Sequence, residues 1–382
     1  MPTVSYFLST TDYSINEDHP LWHRPLPDHR LSGAEKTDPS GTGAVTYGRY
    51  FSAVSQFCAA AGWDRIVKAA TCRLEQPVVE KDLGHLAIFL EKHGAFYHPA
   101  RIQVPVKDRT LTFVVNVAAS EPGRQAFPRE VRALEHLNDR RPFGWLPRVY
   151  SFASDALPMF LGDWFDGFNE FHLTRRPDCN DPAIVVWDGA AAHCHLSEKQ
   201  VEDLYRKATM ILTACYDPIT SFQIFPWHHA AGDFVVRLEE KGVTVRLITV
   251  RDYVPLVDWA AEPDDERSLL DALVVFFLHL SIRMRLDRLD GVKEVAWASD
   301  RCLAPIIDGF FMGLDLTARM SGFPESFPET FRHYFNHHDG ADMLAMARRT
   351  IMSFFDRKTE ERRLTDCHLT SHVQGIRRLL AS

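Results

Sequence analysis

The sequence lacks the cysteine pattern of a protein that is held together by disulfides or zinc. Its seven cysteines stand at positions 58, 72, 179, 194, 215, 302 and 367, and no two of them form a CxxC pair. An odd, scattered set of this kind argues against a disulfide framework and a zinc ribbon. Because free thiols are typical of a reducing compartment, we predict a cytoplasmic protein.

The sequence also predicts neither a membrane-spanning run nor a signal peptide. The most apolar stretch covers residues 269–282 and is interrupted by Asp271 and His279. It falls short of the roughly 20 apolar residues that are needed to cross a bilayer. The N-terminal residues have neither the basic start nor the long apolar stretch of a signal peptide. We therefore expect a soluble chain with no membrane partner.

Positive charge is not in excess. Lysine and arginine together number 43, aspartate and glutamate number 51, and the formal net charge is −8. Proteins that grip nucleic acid through its phosphates are usually basic, so we expect no nucleic-acid partner. The 382 residues are 46% hydrophobic and 25% charged, which suits a globular protein of two or three structural units.

Several short enzyme signatures are absent as well. The sequence has no Gly-x-Ser-x-Gly nucleophile motif, no Walker phosphate loop, no HExxH zinc helix and no Rossmann glycine fingerprint. What the chain does have is a hydrophobic period that changes along its length. That change is the main evidence for its fold.

The first part of the chain predicts an arm, a helical segment and a hairpin. Residues 1–45 are rich in turn-forming residues and predict an irregular arm. Residues 46–92 have a helical period, with Leu83, Leu86, Ala87 and Leu90 on one face. Alternation over 100–106 and again over 110–117, across a short polar turn, predicts a β-hairpin.

The rest of the chain is mostly helical by the same criterion. Residues 127–137 predict an amphipathic helix with Pro128 in its first turn. Residues 159–165 predict a strand, residues 196–216 a long helix, and residues 233–238 with 243–250 a second hairpin. Further helices are predicted over 267–288, 299–320, 340–356 and 369–380.

This order of elements predicts an α+β fold of two lobes. A small β-rich N-lobe with its hinge would cover residues 93–168. A larger helical C-lobe would cover residues 169–382 and include the second hairpin and a C-terminal helical extension. Ligands of two-lobed proteins commonly bind in the cleft between the lobes, where we expect the site.

Five short segments in this order resemble the protein-kinase-like superfamily, in particular its aminoglycoside phosphotransferase and choline kinase branch. The resemblance covers roughly residues 90–290. It rests on a strand at 113–117, a helix at 127–134, a strand and hinge at 159–168, a loop at 227–236 and a segment at 247–253.

The resemblance implies a set of site residues. Gly94, Asn116, Glu130 and Trp164 would bind the cofactor, which would be ATP with Mg²⁺ or Mn²⁺. His228, Asp233 and Asp252 would be catalytic. Asp233, Asp252 and His229 would hold the metal, and a nitrogen-oxygen set of this kind would also suit zinc, which is less favoured.

The same positions depart from the family pattern. Asn116 stands where the family has its phosphate-binding lysine, and His228 stands where it has the loop aspartate. The segment that should be glycine-rich offers only Gly94, followed by Pro99. The metal-binding aspartate position falls on Thr249, and Asp252 reaches it only after a shift of three residues.

Two functional hypotheses follow. In the first, the chain is a degenerate, pseudokinase-type protein that binds a small molecule or nucleotide and lacks ordinary kinase activity, with a protein partner also compatible. In the second, it is a small-molecule phosphotransferase that uses ATP and a divalent metal, with His228 as the base and Asp233 and Asp252 on the metal.

Each candidate residue also has a structural interpretation. Asp233 would cap a turn, and Asp252 would form a surface ion pair with Arg251. Glu130 would lie on a solvated helix face, and Asn116 would be a hydrogen-bonded core amide. The aromatic segment around Trp164 would be core packing rather than a platform for a flat ligand.

Overall fold

The computed structural model describes residues 2–9, 13–27, 45–176, 179–188, 192–257, 266–291 and 293–381. The protein is mixed α/β, with a sheet-rich N-terminal part and a helical C-terminal part. The chain divides into two compact units. The first comprises Met1–Asn138 with Pro147–Asp166, and the second comprises Asp139–Leu146 with Gly167–Ser382.

The first unit is built on one large sheet. Across the described residues it has seven strands in the order β2-β1-β3-β4-β5-β7-β6, and the β1–β3 pair is parallel. The strands are β1 (Val4–Leu8), β2 (Ser14–Ile15), β3 (Leu86–Leu90), β4 (His98–Val106), β5 (Arg109–Val117), β6 (Val149–Ala153) and β7 (Met159–Asp163).

The predicted hairpin is confirmed as β4 and β5. Along β4, every second residue from His98 to Val106 is buried, as expected for a strand with one face on the core. Ile102 lies opposite Phe113, and the turn places Lys107 at a positive φ of 56°. The predicted strand at 159–165 is confirmed as β7.

Two predictions for the first ninety residues were wrong. Leu86 and Leu90 lie in strand β3 rather than on a helix face, because a short apolar run fits either period. The arm over residues 1–45 is not wholly irregular, since it supplies β1 and β2 to the sheet. Residues 28–44 of that arm lie outside the described residues.

Helix α1 (Tyr47–Leu74) is interrupted in its middle. Residues 60–63 leave the helical conformation, with positive φ at Ala61, Gly62 and Trp63. Arg65 donates to the Phe57 carbonyl at 2.8 Å and to the Ser151 hydroxyl at 3.0 Å. Its guanidinium also lies over the Phe57 ring. Arg65 therefore satisfies a carbonyl that the break removes from the helical ladder.

Helix α2 (Glu121–Arg140) begins six residues before the predicted start. The Ser120 hydroxyl accepts from the Gly123 amide at 3.1 Å and so caps the helix there. Pro128 consequently lies inside the helix instead of in its first turn. The cap residue, not the proline, sets where this helix starts.

The second unit has its own sheet. Within the described residues it has five strands in the order β10-β9-β8-β12-β13. The strands of the unit are β8 (Asn169–Arg176), β9 (Cys179–Asp188), β10 (Ala192–His195), β11 (Phe222–Ile224), β12 (Phe234–Glu239), β13 (Gly242–Leu247), β14 (Tyr253–Pro255), β15 (Leu286–Arg288) and β16 (Val295–Trp297). The predicted second hairpin is confirmed as β12 and β13, whereas β8, β9 and β10 were not predicted.

The outer edge of β13 is closed by other parts of the same unit. The Val243 amide donates to the Asp203 carboxylate at 2.9 Å, and the Val243 carbonyl accepts from the Lys207 ammonium at 2.6 Å. Farther along the strand, the Leu247 amide donates to the Trp145 carbonyl at 3.0 Å. Asp203 and Lys207 both belong to the helix that packs on this strand.

That helix is the first of a set that fills the rest of the second unit. The helices are α3 (Glu198–Ala214), α4 (Glu266–Arg283), α5 (Leu303–Ser321), α6 (Phe327–His337), α7 (Gly340–Thr350) and α8 (Glu360–Ala381). They confirm the predicted helical tail. Phe277 of α4 meets Phe310, Phe331 and Phe335 ring to ring, and these phenylalanines anchor the bundle. None of the helices in the described ranges is long and apolar enough to cross a membrane.

Candidate functional site

The loop predicted to carry chemistry lies between β11 and β12. Its residues 227–233, called here the polar turn, end in a π-helical turn, His229–Asp233. The last residue of the turn is followed directly by β12, which fixes the C-terminal end of the loop in the five-stranded sheet. The polar turn is therefore a defined structure whose amides need acceptors.

Asp233 is buried and supplies one of those acceptors. Its carboxylate accepts from the His228 amide at 2.8 Å, so the turn-capping interpretation is realised. It also accepts from both terminal nitrogens of Arg251, each at 2.5 Å. Burial raises the pKa of Asp233, and the charge and hydrogen bonds of Arg251 oppose that rise. The bidentate pair favours the carboxylate form.

Asp287 supplies the second acceptor, and it was not predicted. It lies on β15 and is buried. Its two oxygens accept from the Ala230 amide at 2.6 Å and from the Arg288 amide at 2.7 Å. Burial raises the pKa of Asp287, while these backbone hydrogen bonds oppose the rise. Asp287 lies 54 positions after Asp233 and belongs to no motif in the sequence. Only the fold brings it to the polar turn.

His229 is a core residue. It has no exposed surface, and its ring packs against the rings of Tyr205 and Phe171. Its Nδ1 lies 3.2 Å from an oxygen of Asp287. Burial, with the nearby charge of Arg283, lowers the pKa of His229 to about 3, so the ring is neutral at pH 7.

His228 differs from its neighbour because part of it reaches the surface. Burial is the largest cause that lowers its pKa, to about 4, and the positive charge of Arg283 adds to the effect. The imidazole is therefore neutral at pH 7. Adjacent histidines thus point into different surroundings, one wholly buried and one half-buried.

Two arginines hold the other side of the polar turn. Arg283, at the end of α4, donates to the Trp227 carbonyl at 3.1 Å and lies over the Trp227 ring. Arg251 donates to the Pro226 carbonyl at 3.3 Å in addition to binding Asp233. Together with Asp233, Asp287 and the two histidines, they form what we call the turn cluster.

Asp252 takes a backbone role beside this cluster. Its carboxylate accepts from the Tyr253 amide at 2.9 Å, and its carbonyl accepts from the Phe225 amide at 3.2 Å. The ion pair between Asp252 and Arg251 stays a prediction, while the Arg251 guanidinium binds Asp233.

The four candidate cofactor residues all belong to the first unit. Asn116 is a half-buried residue of β5 opposite Pro99 and Phe160. Trp164 follows β7 and is half-buried, with the Arg101 guanidinium 5.9 Å from its ring centre. Asn116 is thus part of the sheet, and Trp164 lies directly after one of its strands.

Glu130 and Gly94 each have a structural role or placement that the sequence did not predict. Glu130 is 1% exposed, so the solvated-face interpretation was wrong, and its helix turns this residue toward the interior. The Gly94 amide donates to the Tyr97 carbonyl at 3.0 Å, and a Cβ at this position would lie 2.6 Å from that oxygen. Gly94 is required by a tight turn.

The turn cluster does not fit a divalent metal. Both oxygens of Asp233 are occupied by a guanidinium, and a metal ligand would have to replace that pair. Within the described part of the chain, no three His, Cys, Asp or Glu side chains form a metal-binding group. Asp233, Asp252 and His229 are therefore near one another in sequence without sharing a coordination centre.

Comparisons with known proteins give little to set beside this geometry. No family model matches the sequence, and no curated protein matches it. Among solved structures, the chain is similar to a fructosamine-3-kinase-like protein from Haemophilus somnus 129PT, with a TM-score of 0.24 and 9% identity. The match covers 84% of this chain and 96% of that chain. A TM-score this low assigns no fold, and the site is interpreted from the residues of this chain alone.

Proposed function

We propose that this chain is a degenerate kinase-like protein that binds a small molecule or nucleotide and lacks ordinary kinase activity. The observation that carries the proposal is the bidentate pair between Asp233 and Arg251. In the family that the sequence resembles, a residue at the Asp233 position would bind the metal that neutralises the phosphates. In this protein a guanidinium provides the counter-charge to that carboxylate, and a metal ion would have to displace it.

A second difference supports the same conclusion. The position that the resemblance assigns to a phosphate-binding lysine is Asn116, which has no charge. Without that cation, the phosphoryl group in the transition state of transfer loses electrostatic stabilisation. The loss is on the order of several kcal/mol, which is what one preorganised charge supplies. Loss of the metal and loss of the lysine affect the same developing charge.

The alternative is a small-molecule phosphotransferase that uses ATP and Mg²⁺ or Mn²⁺. One observation favours it, because His228 is half-buried and neutral at pH 7 and so is able to accept a proton. However, a pKa of about 4 makes a weak base, and general bases work best when their pKa is near the operating pH. His228 is therefore only a weak candidate base for the alternative.

Manganese titration tests the proposal. The titration is monitored by the paramagnetic resonance signal of free Mn²⁺. We expect that the wild-type protein shows no saturable Mn²⁺ site and does not turn over ATP. A saturable site that is lost in Asp233→Asn, together with ATP turnover, would establish the phosphotransferase. Glu239→Gln is the matched control, since Glu239 is an exposed carboxylate that also pairs with an arginine, Arg237.

The remaining parts of the proposal stand on the sequence. A small-molecule or nucleotide ligand, a protein partner and a cytoplasmic location are predictions. Thermal-shift screening with nucleotides and other metabolites would identify the ligand, because a ligand that binds only the folded state raises the unfolding temperature.

A further inference from the structure

A second group of polar side chains lies at the other end of α4 from the turn cluster. Arg267 stands in the first turn of this helix, and Arg283 in its last turn. Sixteen residues separate them (283 − 267), which is about 24 Å along a helix axis. The two groups are therefore distinct places within the second unit.

Helices α4 and α6 both direct polar faces into this region. Arg267, Leu270 and Asp271 are spaced as neighbours on one face of α4, and Thr330, Tyr334 and His337 on one face of α6. The adjacent face of α6 carries three buried phenylalanines, Phe327, Phe331 and Phe335. Because that face is anchored in the core, the polar face of α6 is held in position.

The two faces line an open, solvent-accessible cavity of about 610 Å³. Its lining residues are Arg267, Leu270, Thr330, Tyr334, His337 and His338. This volume lies within the range of about 300–1,000 Å³ that is usual for small-molecule sites. The lining combines an apolar surface from Leu270 and the Tyr334 ring with one guanidinium, two hydroxyls and two imidazoles.

The nearby negative charge of Asp271 is already engaged. The Tyr334 hydroxyl donates to Asp271 at 2.7 Å, and His338 Nε2 lies 3.9 Å from the same oxygen. Burial, the hydrogen bond and the charge of Asp271 together raise the pKa of Tyr334 to about 12, and a hydrogen bond from Arg267 opposes the rise. Tyr334 is therefore a fixed, protonated donor, and it orients Arg267 beside it.

The remaining polar groups suit a negatively charged ligand. A guanidinium has five N–H donors, so one hydrogen bond to Tyr334 leaves it able to bind an oxyanion. His337 donates through Nδ1 to the His333 carbonyl at 2.7 Å, which fixes its ring beside the cavity.

We propose that this cavity binds a small organic oxyanion, either a phosphate monoester or a carboxylate, with its apolar part on Leu270 and Tyr334. Arg267 binds the oxyanion as a planar fork, and the imidazoles border it. The proposal goes beyond the function proposed above and does not depend on it, because it concerns a different set of residues.

Calorimetric titration of the full chain tests the proposal. The probes are phenyl phosphate, benzoate, inorganic phosphate and benzyl alcohol. We expect saturable binding of at least one aromatic oxyanion at millimolar concentration or below, and the stronger of the two identifies the phosphate or carboxylate source. We expect inorganic phosphate to bind about tenfold more weakly, because it lacks the ring that would be buried, and benzyl alcohol not to bind.

Variants locate the binding. Arg267→Gln should weaken the aromatic oxyanion about tenfold or more. Arg319→Gln is the control, since Arg319 is an exposed arginine of α5 that pairs with Asp315, and it should leave the affinity unchanged. Absence of saturation with both aromatic oxyanions would overturn the proposal, as would an equal loss in both variants. Thermal midpoints within a few degrees of the wild type would show that both variants fold.

Discussion

At the residue scale, two buried carboxylates determine the form of the polar turn. Asp233 accepts from the His228 amide and Asp287 accepts from the Ala230 amide, so two amides of the turn each have a carboxylate acceptor. Carboxylates in such surroundings are costly to bury, and they persist because each has charged or amide donors. Both carboxylates thus have a structural use in this turn.

Arg251 is the partner on which this arrangement depends most. We predict that Arg251→Met lowers the free energy of unfolding by about 3–5 kcal/mol, because it leaves the charge of Asp233 buried without its counter-ion. Urea denaturation measures the change. The double variant Arg251→Met with Asp233→Leu should recover a part of the loss, since it removes both charges.

The control is an arginine pair at the surface. Arg237→Met interrupts the exposed pair with Glu239 and should cost no more than about 1 kcal/mol. Equal losses at the two positions would show that the Asp233 pair contributes no more than an exposed pair, and would remove the main support for the proposed function.

At the scale of single elements, the break in α1 is the clearest case of a helix that needs a side chain to complete it. The break frees the Phe57 carbonyl, and Arg65 binds it while crossing to Ser151 of β6. The helix is thereby tied to the sheet of the first unit at the position where its own ladder stops.

We predict that Arg65→Met destabilises the protein by about 1–3 kcal/mol, the usual cost of leaving a buried acceptor without a donor. Methionine keeps an apolar stem over Phe57, so the change reports mainly on the hydrogen bonds. Equilibrium urea denaturation measures it. Lys68→Met is the control, because it removes an exposed ion pair with Asp64, which lies one helical turn before Lys68. It should change the free energy of unfolding by only a few tenths of a kcal/mol. A loss at Lys68 as large as at Arg65 would argue against the role given to Arg65.

At the scale of the whole molecule, stability is tied to pH by three histidines without exposed surface. Burial lowers the pKa of His229, His279 and His372 to about 3 each. In the unfolded chain an imidazole has a pKa of about 6.5. Below that pH the unfolded state binds protons that the folded state does not, so the free energy of unfolding falls as the pH falls.

We predict a loss of about 1.4 kcal/mol per pH unit for each of these histidines between about pH 6.5 and pH 3, and no such loss above that window. Urea denaturation at about pH 7, 6 and 5 gives the slope. His279→Phe should reduce the slope by the share of one histidine, because His279 already lies between the rings of Phe225 and Phe354. His195→Gln, at an exposed position, should leave the slope unchanged. A slope that His279→Phe does not alter would contradict the prediction.

The sequence predicted elements whose period was long and consistent, such as both hairpins and helices α3 to α5. It did not predict β3, because Leu86–Leu90 is too short for its period to separate strand from helix. The residues of the site were even harder to predict from the sequence. Asp287 meets the polar turn only through long-range packing, and Glu130 looked solvated because its neighbours Arg129 and Arg132 are charged, whereas the helix turns it inward.

The closed border of β13 has a consequence for how copies of this protein behave at high concentration. A strand with an unpaired edge can form hydrogen bonds with strands of other molecules, which leads to fibrous aggregates. Asp203, Lys207 and Trp145 occupy hydrogen-bonding groups that such recruitment would use. At high concentration, molecules of this protein should therefore not form an intermolecular β-sheet through the edge of β13.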